Sequence, residues 1–144
     1  MVKLGIANDH AGFELKQIIK KWLIENGYEA IDFGSNSSES CDYADYGHPL
    51  AYSVEKGEVD YGISMCGSGN GINITVNKHQ GIRAGLCWNK EIAKLARAHN
   101  DANICSLPAR FISVKEAKEI IKIFLSTDFD GGRHLVRINK IPIK

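Results

Sequence analysis

Short apolar runs alternate along the chain with stretches in which apolar residues return every three or four positions. The runs cover residues 3–7, 28–33, 61–65, 82–87 and 104–107, and each has the length of a strand. Between the first two, Phe13, Leu15, Ile18, Ile19, Trp22 and Leu23 recur at helical spacing, and Asn26-Gly27 supplies a stop. Residues 34–47 read as a polar loop, followed by a helix over roughly 49–57 and a short one over 72–77. Ile92, Leu95, Ala96 and His99 share one helix face. Val114, Ala117, Ile120, Ile121, Phe124 and Leu125 form the stripe of a last long helix.

Strands alternating with helices predict an α/β domain with a parallel sheet and helices on both faces. The strands are nearly continuous apolar runs, as expected when neither face meets water. Ligands of such folds sit beyond the carboxyl ends of the strands, so the residues that follow each strand carry the functional question.

The 144 residues suggest a single domain, 1–144, with a tail from about 127 that packs at the site or at a subunit interface. Eighteen basic against seventeen acidic residues argue against a nucleic-acid partner or an acidic membrane surface. No run is long enough to span a bilayer and the first residues lack a signal-peptide pattern, so a cytoplasmic location is expected. The four cysteines contain no C-x-x-C pair, which points to free thiols in a reducing compartment. Cys41, Cys87 and Cys105 are expected to be small buried hydrophobes. Cys66 differs, because it falls at a strand end before a helix, a place where thiolates are generally favoured.

The strand ends collect chemistry. The first is followed by Asp9-His10, the third by Cys66-Gly67-Ser68-Gly69-Asn70-Gly71, the fourth by Trp88-Asn89 and the fifth by Arg110. With His99-Asn100, just before the fifth strand, these residues are expected along one edge. Three glycines before a helix predict a cluster of free N–H donors, a cradle for an anion or an oxyanion. The loop is not a P-loop, since Gly71 is followed by Ile72 where Gly-Lys-Ser/Thr is needed. It is G-x-G-x-G after the third strand, not G-x-G-x-x-G after the first, which excludes the dinucleotide fingerprint. A phosphatase of C-x5-R type needs arginine at Ile72. His10 and Glu14 are four apart at a helix start, but no third ligand accompanies them, so no metal is expected. A receiver domain of similar shape needs an aspartate after the third strand, where this chain has Cys66. Arg133 and Arg137 lie on one face if the tail is helical, spaced to grip a phosphate, and Gly131-Gly132 predicts a bend before them.

Six segments in register resemble the ribose-5-phosphate isomerase B family, which also contains allose-6-phosphate and galactose-6-phosphate isomerases. They are Asp9-His-Ala-Gly12, Asp42-Tyr-Ala-Asp-Tyr46, Cys66-Gly-Ser-Gly-Asn-Gly71, Gly81-Ile-Arg-Ala84, His99-Asn-Asp-Ala-Asn103 and Phe129-Asp-Gly-Gly-Arg-His134. The resemblance implies a three-layer α/β/α sandwich around a Rossmann-like, five-stranded parallel sheet. It implies a cofactor-free aldose–ketose isomerase of pentose phosphate metabolism, with a phosphorylated sugar as substrate. Cys66 is then the base that moves the proton, Ser68 assists it, and His99 opens the sugar ring. Asp9, His10, Tyr43, Gly67, Gly69, Asn70, Gly71, Asn100, Arg110, Arg133 and Arg137 bind substrate, the arginines chiefly its phosphate. One branch of the family uses a glutamate just past the loop as base; here that position is Ile72 and the cysteine is present. The resemblance also implies a homodimer or homotetramer with sites between subunits. A hexose-phosphate isomerase and a non-catalytic sugar-phosphate binder are the competing expectations.

Overall fold

The computed structural model describes residues 1–144. Five strands, β1 (Lys3–Asn8), β2 (Glu29–Asp32), β3 (Tyr61–Cys66), β4 (Ala84–Leu86) and β5 (Ile104–Pro108), form one sheet in the order β2-β1-β3-β5-β4. Every pairing is parallel. Six helices connect or follow them: α1 (Phe13–Glu25), α2 (Tyr43–Glu55), α3 (Asn70–Val76), α4 (Lys90–Asn100), α5 (Val114–Ser126) and α6 (Arg133–Ile138). A 3-10 turn, His10–Gly12, leads into α1. No helix is long and apolar enough to cross a membrane.

The period-2 pleat sorts the strand residues onto two cores. Leu4 and Ile6, Ile63 and Met65, and Cys105 and Leu107 pack with Leu15, Ile19 and Leu23 of α1, Ala93 and Ala96 of α4, and Ile120, Ile121 and Phe124 of α5. Ala7, Cys66 and Ile104 point the other way, onto Leu50, Ala51 and Val54 of α2 and Ile72 and Val76 of α3. The three layers expected from the sequence are therefore present, with α1, α4 and α5 on one face and α2 and α3 on the other. Ser64 and Ser106, both fully buried, share a 2.8 Å hydrogen bond across the centre of the sheet and so satisfy each other.

Three boundaries differ from the sequence reading. Helix α2 begins at Tyr43, inside the stretch expected to be loop. Gly47 and Pro49 there look like helix breakers, but Gly47 lies where α2 crosses α3, and a Cβ on it would come within 3.1 Å of Thr75 and 3.3 Å of Ile72. The close crossing needs the glycine. Helix α3 begins at Asn70 rather than Ile72. Strand β4 covers only three residues, and the Asn77 side chain occupies its outer edge: Nδ2 donates to Ala84 O at 3.0 Å and Oδ1 accepts from Ala84 N–H at 2.8 Å.

Candidate active site

The strand order reverses between β1 and β3, the first connection leading out to β2 on one side and the later ones to β5 and β4 on the other, and the carboxyl ends of β1 and β3 flank a cleft of about 440 Å³. Asp9, His10, Cys66, Gly67, Ser68, Gly71, Tyr43 and Arg110 line it. This is the crevice at a topological switch point where open α/β sheets take their ligands.

Each side chain is set by its local backbone. Asp9 caps the 3-10 turn: its Oδ1 accepts from the N–H of Ala11 at 2.9 Å and of Gly12 at 3.2 Å. Its second oxygen has no partner within the chain. Gly12 cannot carry a side chain, since a Cβ there would lie 2.7 Å from Met65 Cγ. His10 Nδ1 accepts from the Cys41 N–H at 3.2 Å. That bond leaves the proton of the neutral ring on Nε2, which is then a donor. Cys66 ends β3 opposite Pro108, is 4% exposed, and its carbonyl accepts from Ala109 N–H at 2.9 Å.

The loop after Cys66 has the donors its glycines predict. The backbone N–H groups of Gly67, Ser68 and Gly69 make no hydrogen bond within the chain. Backbone donors are nearly always paired in folded proteins, so three consecutive free ones mark a place prepared for an acceptor. Gly69 holds φ +79 and passes so close to β5 that a Cβ would lie 3.1 Å from the Leu107 carbonyl. Ser68 Oγ accepts from the backbone and side-chain amides of Asn70, both at 3.3 Å. Arg110 N–H donates to Gly67 O at 3.0 Å, and its guanidinium lies over Gly67 without a carboxylate partner. The ring of Tyr43 packs on Gly71, where a Cβ would come within 2.5 Å of it.

Cys41 is a correction. It is half-buried rather than core, lines the cleft, and its Sγ lies 4.0 Å from His10 Nδ1. No motif in the sequence signals this, because the contact spans 31 positions. Cys87 and Cys105 are buried as expected, and the Cys105 thiol is pushed upward by its hydrogen bond to Cys87 and by burial.

The remaining predicted residues are not in this cleft. In a β-α-β unit the helix runs back against the strands, so the end of α4 returns to the amino edge of the sheet. His99 and Asn100 therefore stand beside Arg83, which precedes β4 and whose Nε donates to Asn100 O at 2.8 Å. The length of β3, roughly 17 Å at strand rise, separates that edge from Cys66. The expectation that all these groups share one edge is thus overturned. Arg133 and Arg137 go with His99. They stand on α6, which packs on α4, and both are exposed and lack a carboxylate partner. Gly131 and Gly132, at φ +67 and +56, make the bend expected before them. The amino edge also holds His134, which lies against His99, and the Asp130 carboxylate.

One chain therefore carries two separate clusters. One has a thiol, a carboxylate, an imidazole donor and free backbone N–H groups. The other has two stacked imidazoles, a carboxylate and two unpaired guanidinium groups. Together they hold what acid–base chemistry on an anionic substrate requires.

A family model described as Ribose/Galactose Isomerase matches residues 4–141. The chain is 43% identical over 141 residues to ribose-5-phosphate isomerase B of Escherichia coli, covering 98% of this chain and 95% of that protein. Its structure is similar to the crystal structure of a ribose 5-phosphate isomerase from Thermotoga maritima, with TM-score 0.97, 50% identity, and 98% and 97% of the two chains covered. It is also similar to ribose-5-phosphate isomerase B from Mycoplasma genitalium with bound ribulose-5-phosphate, with TM-score 0.93, 38% identity, and 97% and 93% covered.

Proposed function

The chain belongs to the ribose/galactose isomerase family, and on that premise we propose that it interconverts ribose 5-phosphate and ribulose 5-phosphate by proton transfer through an enediolate. The observation that carries this reading is the buried Cys66 thiol beside three unpaired backbone N–H groups, with Asp9 and His10 across the same cleft.

The chemistry divides among these groups. The sugar ring opens as the C1–O4 bond breaks, O1 losing a proton and O4 gaining one; His99 serves this exchange. Cys66, as thiolate, takes the proton from C2 of the open aldose. The negative charge then gathers on O1, where the N–H groups of 67–69 stabilise it; one such donor contributes about 3 kcal/mol. Cys66 returns the proton to C1 while the O2 proton moves to O1, and the ketose results. Ser68 assists at the thiol, and Asn70 orders the Ser68 hydroxyl. Tyr43 and the glycine backbone shape the pocket around the carbon chain. Apart from the C1–O4 bond broken in ring opening, every step is a proton transfer.

A single chain does not complete this site. His99, Asn100, Arg133 and Arg137 serve the Cys66 cleft of a second copy, which makes a homodimer the smallest active unit, in the cytoplasm. The tail from residue 127 supplies the phosphate arginines across that interface. Arg110 and His10 meet the same anion from the near side.

The test is turnover of ribose 5-phosphate to ribulose 5-phosphate by the purified chain alone in excess EDTA. Turnover is expected, and failure in both directions overturns the reading.

A further inference from the structure

His134 enters none of these steps, yet among the five histidines it is the one that is buried. Its ring lies face to face with that of His99, with centroids 4.2 Å apart and planes 12° from parallel. Several contacts build this stack. The Asp130 N–H donates to Ala98 O at 2.9 Å, seating the turn on the last residues of α4. Arg97 Nε donates to Thr127 O at 3.2 Å from the same helix. The two positive-φ glycines then swing the chain into α6, where the His134 N–H donates to Gly131 O at 3.1 Å.

With the Asp130 carboxylate, the two imidazoles bring three ligand-type atoms within 4.8 Å of one another. Two histidines and a carboxylate are a familiar zinc donor set. The ring planes decide against that use. An imidazole lone pair lies in its ring plane, so two stacked rings confine their lone pairs to two separate, nearly parallel planes. Those planes do not meet at a point about 2.1 Å from both nitrogens. The arrangement is a stack, not a chelate.

Resting on the isomerase reading, we propose that His134 is a positioning residue for His99: the stack fixes the plane of the His99 ring, so that its free nitrogen meets the anomeric hydroxyl and ring oxygen of the substrate. A half-buried imidazole at a helix end, such as His99, still has several χ1 and χ2 settings open to it, and a face-to-face partner removes that freedom before substrate arrives. Two imidazolium rings do not share a face at this distance, so one member must stay neutral. His134 is that member. Burial first, then the charges of His99, Arg133 and Arg137, hold it below its ordinary value of 6.5, outweighing Asp130.

The two directions of the reaction separate this role from a merely structural one. Ribulose 5-phosphate has no ring to open, because its O5 carries the phosphate and closure from O4 to C2 gives a four-membered ring. Exchange of its C1 proton with solvent deuterium therefore needs Cys66 but not ring opening. The experiment compares wild type, His134→Ala and His134→Phe in the full chain. It measures ribose 5-phosphate turnover, C1 exchange of ribulose 5-phosphate, and the imidazole C–H resonances of His99 without substrate. His134→Ala should lower ribose 5-phosphate turnover about tenfold to a hundredfold and leave C1 exchange within about twofold. His134→Phe, which keeps a flat ring on His99, should restore turnover to within about threefold and return the His99 resonances that the alanine variant displaces. Equal losses in both reactions, unchanged turnover in His134→Ala, or His99 resonances indifferent to residue 134 overturn the proposal. A wild-type chain inactive on both sugars overturns the isomerase reading and this role with it, even where the resonances report the stack.

Discussion

Lys16 Nζ lies 2.8 Å from Asp32 Oδ2, and the lysine side chain is wholly buried. The same ammonium donates to Ser35 O at 2.8 Å, while Lys20 shares the carboxylate oxygen at 3.2 Å and Gly34 N–H donates to Oδ1 at 2.8 Å. Ser35 in turn pairs with Asn8, its N–H donating to Asn8 O at 2.8 Å. The ion pair thus braces the end of β1, from which Asp9 and His10 project. Asp32→Asn leaves a buried ammonium without its counter-charge and should cost about 3–5 kcal/mol in urea unfolding at pH 7. Lys16→Met removes the buried charge instead and leaves Asp32 with Lys20, so it should cost less. The reverse order would mean that the pair does not carry the brace.

Acid should act in two separate windows. Burial raises the Asp32 carboxyl, but the Lys16 hydrogen bond, the Gly34 N–H and Lys20 outweigh it and hold the group below 3.8. The folded chain then binds this proton less readily than the unfolded one. The contribution is complete above the unfolded value of 3.8 and lost as pH falls through the lower folded value. His134 has the same sign in a higher window. Its folded value lies below 6.5, so stability declines as pH falls below 6.5 and levels off once the folded form titrates. In urea unfolding from pH 7 to pH 3, His134→Phe should remove the upper decline and Asp32→Asn the lower one.

Gly69 and Gly27 separate strain from function. Both hold positive φ, +79 and +86, but a Cβ at Gly27 meets nothing within 4 Å, whereas at Gly69 it meets Leu86 at 2.5 Å and the Leu107 backbone at 3.1 Å. Each alanine should cost about 1–2 kcal/mol for the left-handed backbone. Gly69→Ala must also push the loop off β5 and move the three free N–H groups. It should therefore lower kcat by about tenfold or more, with Gly27→Ala active at full rate. Equal kcat in the two variants would remove the N–H cluster from the mechanism.

The two clusters should fail in different ways. Cys66→Ala should abolish turnover and leave substrate affinity within about threefold, since in the proposed reaction the thiol acts on the reacting carbons and not on the phosphate. Arg137→Ala should raise KM about tenfold or more with kcat nearly kept. Steady-state kinetics and calorimetric binding to the Cys66→Ala chain measure both. Loss of binding in Cys66→Ala would contradict its assignment as the base.

The five strands were legible because both faces of a parallel sheet are apolar, and such runs stand out against polar turns. Asp9, His10, Cys66 and Arg110 were legible for a related reason: each ends a strand or follows one within two residues, so the chain itself places it at the carboxyl edge. His99 was misplaced by the same habit, because closeness in sequence to β5 puts it at that strand's start. The start of α2 was hidden since Gly47 and Pro49 are judged by local propensity, while the α2–α3 crossing decides Gly47. The stack of His134 on His99 joins residues 35 apart, with no periodicity to announce it.

The separation of Cys66 from His99 makes the sharpest prediction of all. If the site were built within one chain, a mixture of Cys66→Ala and His99→Ala proteins would hold no intact site, however the chains associate. If each cleft takes His99 from the other copy, a mixed dimer has one site lacking both groups and one site lacking neither. The two-fold symmetry of such an interface guarantees this distribution. Random pairing of equal amounts makes half of the dimers mixed, each with one working site of two, so activity should return to about a quarter of wild type. The two purified variants are unfolded together, refolded and assayed on ribose 5-phosphate, beside each variant refolded alone. Return of activity only in the mixture requires the shared site. A mixture as silent as its components, with mixed dimers demonstrated by mass spectrometry, would confine catalysis to one chain and would demand a large movement of α4 toward the cleft.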